Sequence, residues 1–354
     1  MPPLPRELHQ LIVEWLSDDL PTIVAWAYTN KLGYVASMRT LYRSVQCEAF
    51  PIVAYGTNDC SRFVRCLHFK GTNKTEHIAQ VALDVAPAVW KKLESSQTIR
   101  QFHWDVVDPL SCVFPEGIPP VLGKLTVLKI RIEEYSISNL QHFNGILNDN
   151  LAILHMYCNA HITNLDAGMQ LLATLKNLPI RVPQLTEFQL QLPSVMLGGS
   201  DDALRLLLDA ESFSFPQTRR LGLISHNEEV DGLAFVNRHK LLDTLTYIWD
   251  GLDPPSNFPF KNCIQHLHHF RGSLLDVEAL LNFTPQNIES LDICLWDVQR
   301  LTNILPQLLT LKFLTVLTIR DFIVINPELQ TLNLFPADQI PAYVCLTETT
   351  TTSD

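Results

Sequence analysis

From residue 60 onward one hydrophobic pattern keeps returning: an apolar anchor, two variable positions, an apolar residue, one variable position and another apolar residue. It fits Val64/Leu67/Phe69, Ile99/Phe102/Trp104, Leu125/Leu128/Ile130, Leu151/Leu154/Met156 and Leu185/Phe188/Leu190. It returns at Ile288/Leu291/Ile293, Leu314/Leu317/Ile319 and Leu329/Leu332/Leu334, with weaker copies at Thr218/Leu221/Leu223, Leu245/Ile248 and Leu267/Phe270. The alternating end of each unit predicts a short strand with one face inside. The central positions are 67, 102, 128, 154, 188, 221, 248, 270, 291, 317 and 332. Between them lie patterns of helical period: His77 to Leu93 (kinked or ended early by Pro87), Leu165 to Leu178, Asp201 to Asp209 behind a Ser200 cap signal, and Gln299 to Leu309 across Pro306. Strand and helix in alternation predict an α/β fold with a parallel sheet, whose core closes only when neighbouring repeats stack.

The first 45 residues have a different rhythm. Pro5 suits the start of a helix. Leu8, Leu11, Ile12, Trp15 and Leu16 then fall on one broad helical face, with Glu7 and Glu14 left for solvent. Asp18 and Asp19 are placed to cap a second helix that Pro21 opens and that carries Ile23, Val24 and Ala27. Gly33 is expected to break it, and Val35 to Val45 supply a third amphipathic piece with Met38, Leu41 and Tyr42. Three such short helices bury little surface by themselves and need a neighbour.

Bulk composition narrows the function. Of 354 residues 47% are hydrophobic, enough for a sizeable core, and the net charge of −11 disfavours binding along a phosphate backbone, so no nucleic acid is expected as partner. No apolar run reaches the length of a membrane span and no secretory leader is seen. The eight cysteines form no CxxC pair and read as reduced thiols, which points to the cytoplasm or nucleus. There is no glycine-rich phosphate loop, zinc-protease helix motif or nucleophile elbow. No catalytic residue, cofactor or metal is therefore expected, and His266-Leu267-His268-His269 reads as ordinary strand histidines. Residues 336–354, rich in Thr and Pro, are expected to be a disordered tail.

Leu4-Pro5-Arg6-Glu7-Leu8, the acidic pair Asp18-Asp19 and the closing Tyr42-Arg43-Ser44-Val45 resemble the F-box of basidiomycete fungal type. The resemblance covers residues 4–45 and departs at Asn30-Lys31-Leu32-Gly33. There the family usually has Ser-Arg-x-Trp, so Gly33 stands in the Trp position with Tyr34 beside it. Residues 46–335 resemble an irregular, ribonuclease-inhibitor-like leucine-rich-repeat horseshoe, whose repeat is about 20–29 residues. These resemblances imply the substrate-recognition subunit of an SCF-type cullin–RING ubiquitin ligase. Leu4, Pro5, Leu8, Ile12, Leu16 and Ile23 would dock on the Skp-family adaptor. The alternative is a protein-interaction scaffold whose F-box has degenerated.

The strand pattern also names the side chains of the concave sheet face: His68 and Lys70, His103 and Asp105, Lys129 and Arg131, His155 and Tyr157, Glu187 and Gln189, Arg220, Tyr247 and Trp249, His269 and Arg271, Asp292, Thr318 and Arg320. Six are basic and three acidic, a positive face on a negative chain. The expected contacts to an unknown target protein, through an acidic or phosphorylated segment, are Lys70, Lys129, Arg131, Tyr157, Arg220, Tyr247, Trp249, Arg271 and Arg320.

Overall fold

Ten of the eleven expected strand centres lie in β-strands of the computed structural model. It describes residues 4–16, 19–46, 61–70, 87–94, 98–105, 114, 117–132, 140–158, 165–193, 200–225, 230, 232–249, 266–282, 287–294, 303–304, 306–308, 310–320 and 343–347. The eleventh centre, Leu332, is outside them. The chain forms two compact units, Met1–His155 and Met156–Asp354.

In the first unit, helices α1 (Arg6–Trp15), α2 (Leu20–Ala27) and α3 (Lys31–Leu41) lead into strands β1 (Ser44–Gln46), β2 (Cys66–Lys70), β3 (Gln101–Asp105) and β4 (Val127–Ile132). These four strands are parallel and lie in chain order. A short helix, α4 (Leu140–Ile146), precedes β5 (Ile153–Cys158), which runs through the division between the units. The second unit carries α5 (Leu165–Arg181), β6 (Glu187–Leu192), α6 (Ser200–Asp209), β7 (Arg220–Ser225), α7 (Leu233–Asn237), β8 (Thr244–Trp249), β9 (His269–Ser273), α8 (Leu274–Leu281), β10 (Ser290–Cys294), β11 (Val316–Arg320) and β12 (Tyr343–Thr347). From β6 to β12 each strand pairs in parallel with the next. This is an α/β architecture compatible with a solenoid-like repeat.

A single hydrogen-bond device fixes the register. The carbonyl of the residue just before a strand accepts two successive N–H groups from the entrance of the following strand. Arg43 O takes Arg65 and Cys66, Arg65 O takes Arg100 and Gln101, and Arg100 O takes Thr126 and Val127. In the second unit Thr186, Arg219, Asp243, His268 and Glu289 do the same, at 2.8–3.2 Å. Each link lines up the inward residues: Val45, Leu67, Phe102 and Leu128 form one row, and Phe188, Leu221, Leu245, Phe270, Leu291 and Leu317 form another.

Three expectations change. Ser44–Gln46 is a strand, not the end of a helix, because Val45 is in register with Leu67. A strand also forms at Tyr343–Thr347, inside the segment expected to be a disordered tail, where Val344 and Leu346 align with Leu317 and Ile319. The seventh repeat, strand β8, is centred on Leu245, not Ile248. Asp243 sets Thr244 level with Arg220 and His269, so the inward residues are Leu242, Leu245 and Tyr247. Gly272, level with Tyr247 on the next strand, has no side chain, and a Cβ there would lie 2.7 Å from the Phe270 ring.

Aromatic rings fill the interior. Phe69 packs on Trp104 at 5.2 Å in the first unit, and the 87–94 helix adds Trp90 against Phe114 at 5.2 Å. In the second unit Phe188, Phe213, Phe215 and Phe235 cluster around His239, whose ring is 4.8 Å from Phe235. The His239 ring is held neutral by geometry. Its Nε2 accepts the Phe215 N–H at 3.1 Å, so the proton sits on Nδ1, 2.9 Å from the Phe235 carbonyl. Burial pushes its pKa down to about 4. Arg238, its neighbour, donates to the Leu208 and Asp209 carbonyls that end α6. Ser273 and Asp276 form a capping box at α8, and burial pushes the Asp276 carboxyl up to about 7.

His239→Leu is expected to lower stability by about 1–3 kcal/mol at pH 7.5, read by urea denaturation, since it orphans the Phe215 N–H. The wild-type advantage should shrink as pH falls from about 6.5 toward 4. In that window the unfolded chain takes a proton at His239 that the native ring refuses, at about 1.4 kcal/mol per unit of pKa difference. An advantage independent of pH would refute the neutral, hydrogen-bonded ring.

Candidate docking surfaces

The helices at the start of the chain fold around a very small core of Val13, Ile23 and Ala36, edged by Leu16, Trp26 and Leu41. Asp19 caps α2 as expected: its carboxylate accepts the Thr22 N–H at 3.1 Å and the Thr22 hydroxyl at 2.6 Å, which lowers its pKa. Asn30 caps α3 through the Gly33 N–H at 2.8 Å. The break between α2 and α3 falls at Tyr28–Asn30, and Gly33 lies inside α3.

α1 turns a different side inward from the one expected. His9 and Val13 are buried, with the His9 ring 5.4 Å from Trp26, while Leu8, Leu11 and Trp15 remain outside. The helix is apolar on two sides, and the narrower stripe of small and medium residues suits the close approach to α3. The wide outer stripe is left to solvent, with Trp15 86% exposed. Along α2 and the residue that caps its end, Leu20, Val24 and Tyr28 recur every four residues and are all exposed, Tyr28 at 86%. On α3, Leu32 and Val35 are exposed as well.

Of the residues expected to dock, Leu4, Pro5 and Leu8 are exposed, and Ile12 and Leu16 are half-buried. Ile23 is a correction: at 0% exposure it belongs to the helices' own core and has no surface to offer. Leu11, Trp15, Leu20, Val24 and Tyr28 are among the exposed positions that the family pattern did not select. The spacing 20-24-28 was the available signal.

Gly33 is buried because α3 crosses the end of α2 there. A Cβ at Gly33 would lie 2.7 Å from the Trp26 carbonyl oxygen and 2.9 Å from Thr29 Oγ1, whose hydroxyl donates to that carbonyl. No larger side chain fits without moving backbone.

On the sheet face of the first unit, His68, His103 and Lys129 are neighbours in register and all half-buried, and His155 is buried. Arg131 meets Asp105 on the adjacent strand at 3.5 Å. Lys70 is the last residue of β2; its side chain is outside the described residues, as is that of Arg320 in β11. In the second unit Arg220 meets Glu187 and Arg271 meets Asp292, both at 3.6 Å. The Tyr157 hydroxyl donates to Gln189 Oε1 at 3.2 Å. The three acids of the face are thus each opposed to an arginine, and the positive excess expected from counting falls on the basic residues outside these pairs. Such partly exposed pairs add little stability, about 0–1 kcal/mol each. Their effect is to fix where the guanidinium groups stand.

Tyr247 and Trp249 do not belong to this face. Tyr247 is fully buried, and strand alternation puts Trp249 on the same side as Tyr247, half-buried. Ile248 takes the outward position in register with Ile224. His266 precedes β9, and His268 pairs with Glu289 at 3.0 Å. Among the described residues no three His, Cys, Asp or Glu side chains are placed to hold a metal ion. Among the same residues no helix is long and apolar enough to cross a membrane.

No family model matches the chain, and no curated protein matches its sequence.

Replacing Gly33 by Trp, the residue the F-box pattern has there, is expected to destabilise the helices by about 1–3 kcal/mol or more through overpacking against the α2 backbone. Thermal denaturation of Gly33→Trp beside wild type checks it; an unchanged or raised Tm would mean that α2 and α3 are not this close.

Proposed function

We propose that this chain is the substrate-recognition, F-box subunit of an SCF-type cullin–RING ubiquitin ligase. Its three N-terminal helices bind the Skp-family adaptor, and its repeat array, curved as a leucine-rich-repeat horseshoe, holds a target protein. The observation that carries the reading is the outward apolar surface of the helices. Leu4 just before α1 and Leu8, Leu11 and Trp15 on it, with Leu20 and Val24 on α2 and Tyr28 at its end, stand in solvent beside a core of only a few residues. Covering a side chain such as Trp15 is worth on the order of 2–3 kcal/mol, the size of an interface hot spot. A module this small and this apolar outside gains its stability by being covered.

The chain performs no chemistry in this reading. It works in the cytoplasm or nucleus by holding the target near a ubiquitin-charged conjugating enzyme, which raises the effective concentration of the reacting groups. The second reading, a scaffold with a degenerate F-box that no longer reaches a ligase, is favoured by one observation. Gly33 occupies the family's Trp position and is packed so that no Trp can stand there.

Co-purification of the full chain with the Skp-family adaptor separates the two. The wild type is expected to bind. Leu8→Asp/Trp15→Asp, which charges two exposed positions and leaves the core untouched, should lose at least about 2 kcal/mol of binding, roughly thirtyfold, with unchanged circular dichroism. If the wild type fails to bind, the scaffold reading replaces the first.

A further inference from the structure

Helix α5 (Leu165–Arg181) in the second unit is apolar on two sides. Leu171, Leu175 and Leu178 are buried and hold it to the unit. The opposite side also carries large apolar residues. Leu165 and Met169 are half exposed, and Ile180 is 80% exposed. Ala173 lies exposed between them. Steps of four and then seven residues keep all four on one helical face. The neighbouring helix α6, which packs on α5, exposes Leu206 as well. One exposed leucine is ordinary, but a stripe of this length on a single helix marks a surface that meets another.

The charges along α5 narrow what can meet it. Asp166 stands exposed in the first turn, and Lys176 and Arg181 stand exposed toward the end. These are the charged residues of that outer face. Ala173 is the midpoint of the helix and the smallest residue of the stripe. The exposed residues fall in pairs equally distant from it, Leu165 with Arg181 and Asp166 with Ile180. Such a surface, acidic at one end and basic at the other about a small centre, complements itself when reversed.

We infer that the outer side of α5 is the docking surface for a second copy of this chain, packed antiparallel about a two-fold axis at Ala173. Leu165 and Met169 of each copy then cover the second copy's Ile180, and Asp166 comes beside the second copy's Arg181. Ala173 lets the two helices approach closely. The helix dipoles oppose one another, which also favours the antiparallel arrangement. A parallel pairing would set Asp166 against Asp166 and the cations against each other. A helix from an unrelated protein has no need of the symmetry about Ala173. The 17 residues of α5 run about 25 Å. One helix pair of that length gives an interface at the small end of the stable range, so a Kd on the order of 10 μM is expected. The inference is independent of the adaptor reading.

Sedimentation equilibrium of the full chain tests it, from about 1 to 100 μM. A monomer–dimer equilibrium is expected. Met169→Asp/Ile180→Asp should raise the dimer Kd at least about thirtyfold and keep the wild-type melting temperature, since both positions are exposed. Ala173→Cys should give a cross-linked dimer under mild oxidation that the wild type, with its own cysteines, does not give. Asp166→Cys should not cross-link, because its two copies would stand about 21 Å apart. A monomer across the whole range overturns the inference, and so does a dimer that the double variant leaves intact. Cross-linking at Asp166→Cys in place of Ala173→Cys overturns the antiparallel axis and the inference with it. A monomer that binds phosphatidylserine–phosphatidylcholine vesicles, and loses them in the double variant, gives the stripe another occupant and overturns it too.

Discussion

The pairing of one carbonyl with two consecutive N–H groups at each strand entrance is the constraint from which the rest of the array follows. A parallel strand must find its register without a tight turn to impose it. Here the residue before each strand does so. Arg43, Arg65 and Arg100 in one unit, and Thr186, Arg219, Asp243, His268 and Glu289 in the other, each hold the entrance of the next strand. A slip of one residue would send every inward Leu and Phe to solvent. The hydrogen bonds and the apolar rows therefore enforce the same alignment, and the variable insertions between strands do not disturb it.

The same register composes the polar face. Because neighbouring strands stay level, Asp105 meets Arg131, Glu187 meets Arg220 and Asp292 meets Arg271 without any long-range search. What is left over is equally a product of register: a row in which His68, His103 and Lys129 confront one another. Two histidines with depressed pKa thus mean opposite things. His239 is neutral because both ring nitrogens are already used inside the second unit. His103 is kept neutral first by burial and then by the Lys129 charge beside it, and its Nε2 is unused among the described residues.

The N-terminal helices obey another logic. Their core is too small to determine much, so the choice of which side of α1 turns inward rests on fit. His9, Val13 and Leu16 allow α1 to close on α3, and Gly33 allows α3 to close on the α2 end. The larger apolar side chains are left outside as a consequence, and this leaves the helices with a surface that asks for a partner. The family pattern identified Leu4, Pro5 and Leu8 on that surface. It misassigned Ile23, whose neighbours cannot be seen from spacing along one helix.

Spacing alone was enough for what depends on local alternation. The anchor-and-strand pattern located ten strands, because apolar residues two apart on an extended chain must share a face whatever surrounds them. Capping of α2 by Asp19 was equally local. Register was not. The strand at Thr244–Trp249 could be read with either Leu245 or Ile248 at its centre, and only the register set by the Asp243 carbonyl sent Tyr247 and Trp249 to the inner side. The strand at Ser44–Gln46 carries a single apolar residue, and the one at Tyr343–Thr347, though mostly apolar, has Pro341 where the pattern's apolar anchor would stand; both pair with a neighbouring strand. Counting charges gave the sign of the sheet face. Which of those charges are matched, and which stand together unmatched, was decided by tertiary alignment, because an ion pair depends on distance between strands, and sequence fixes only distance along one.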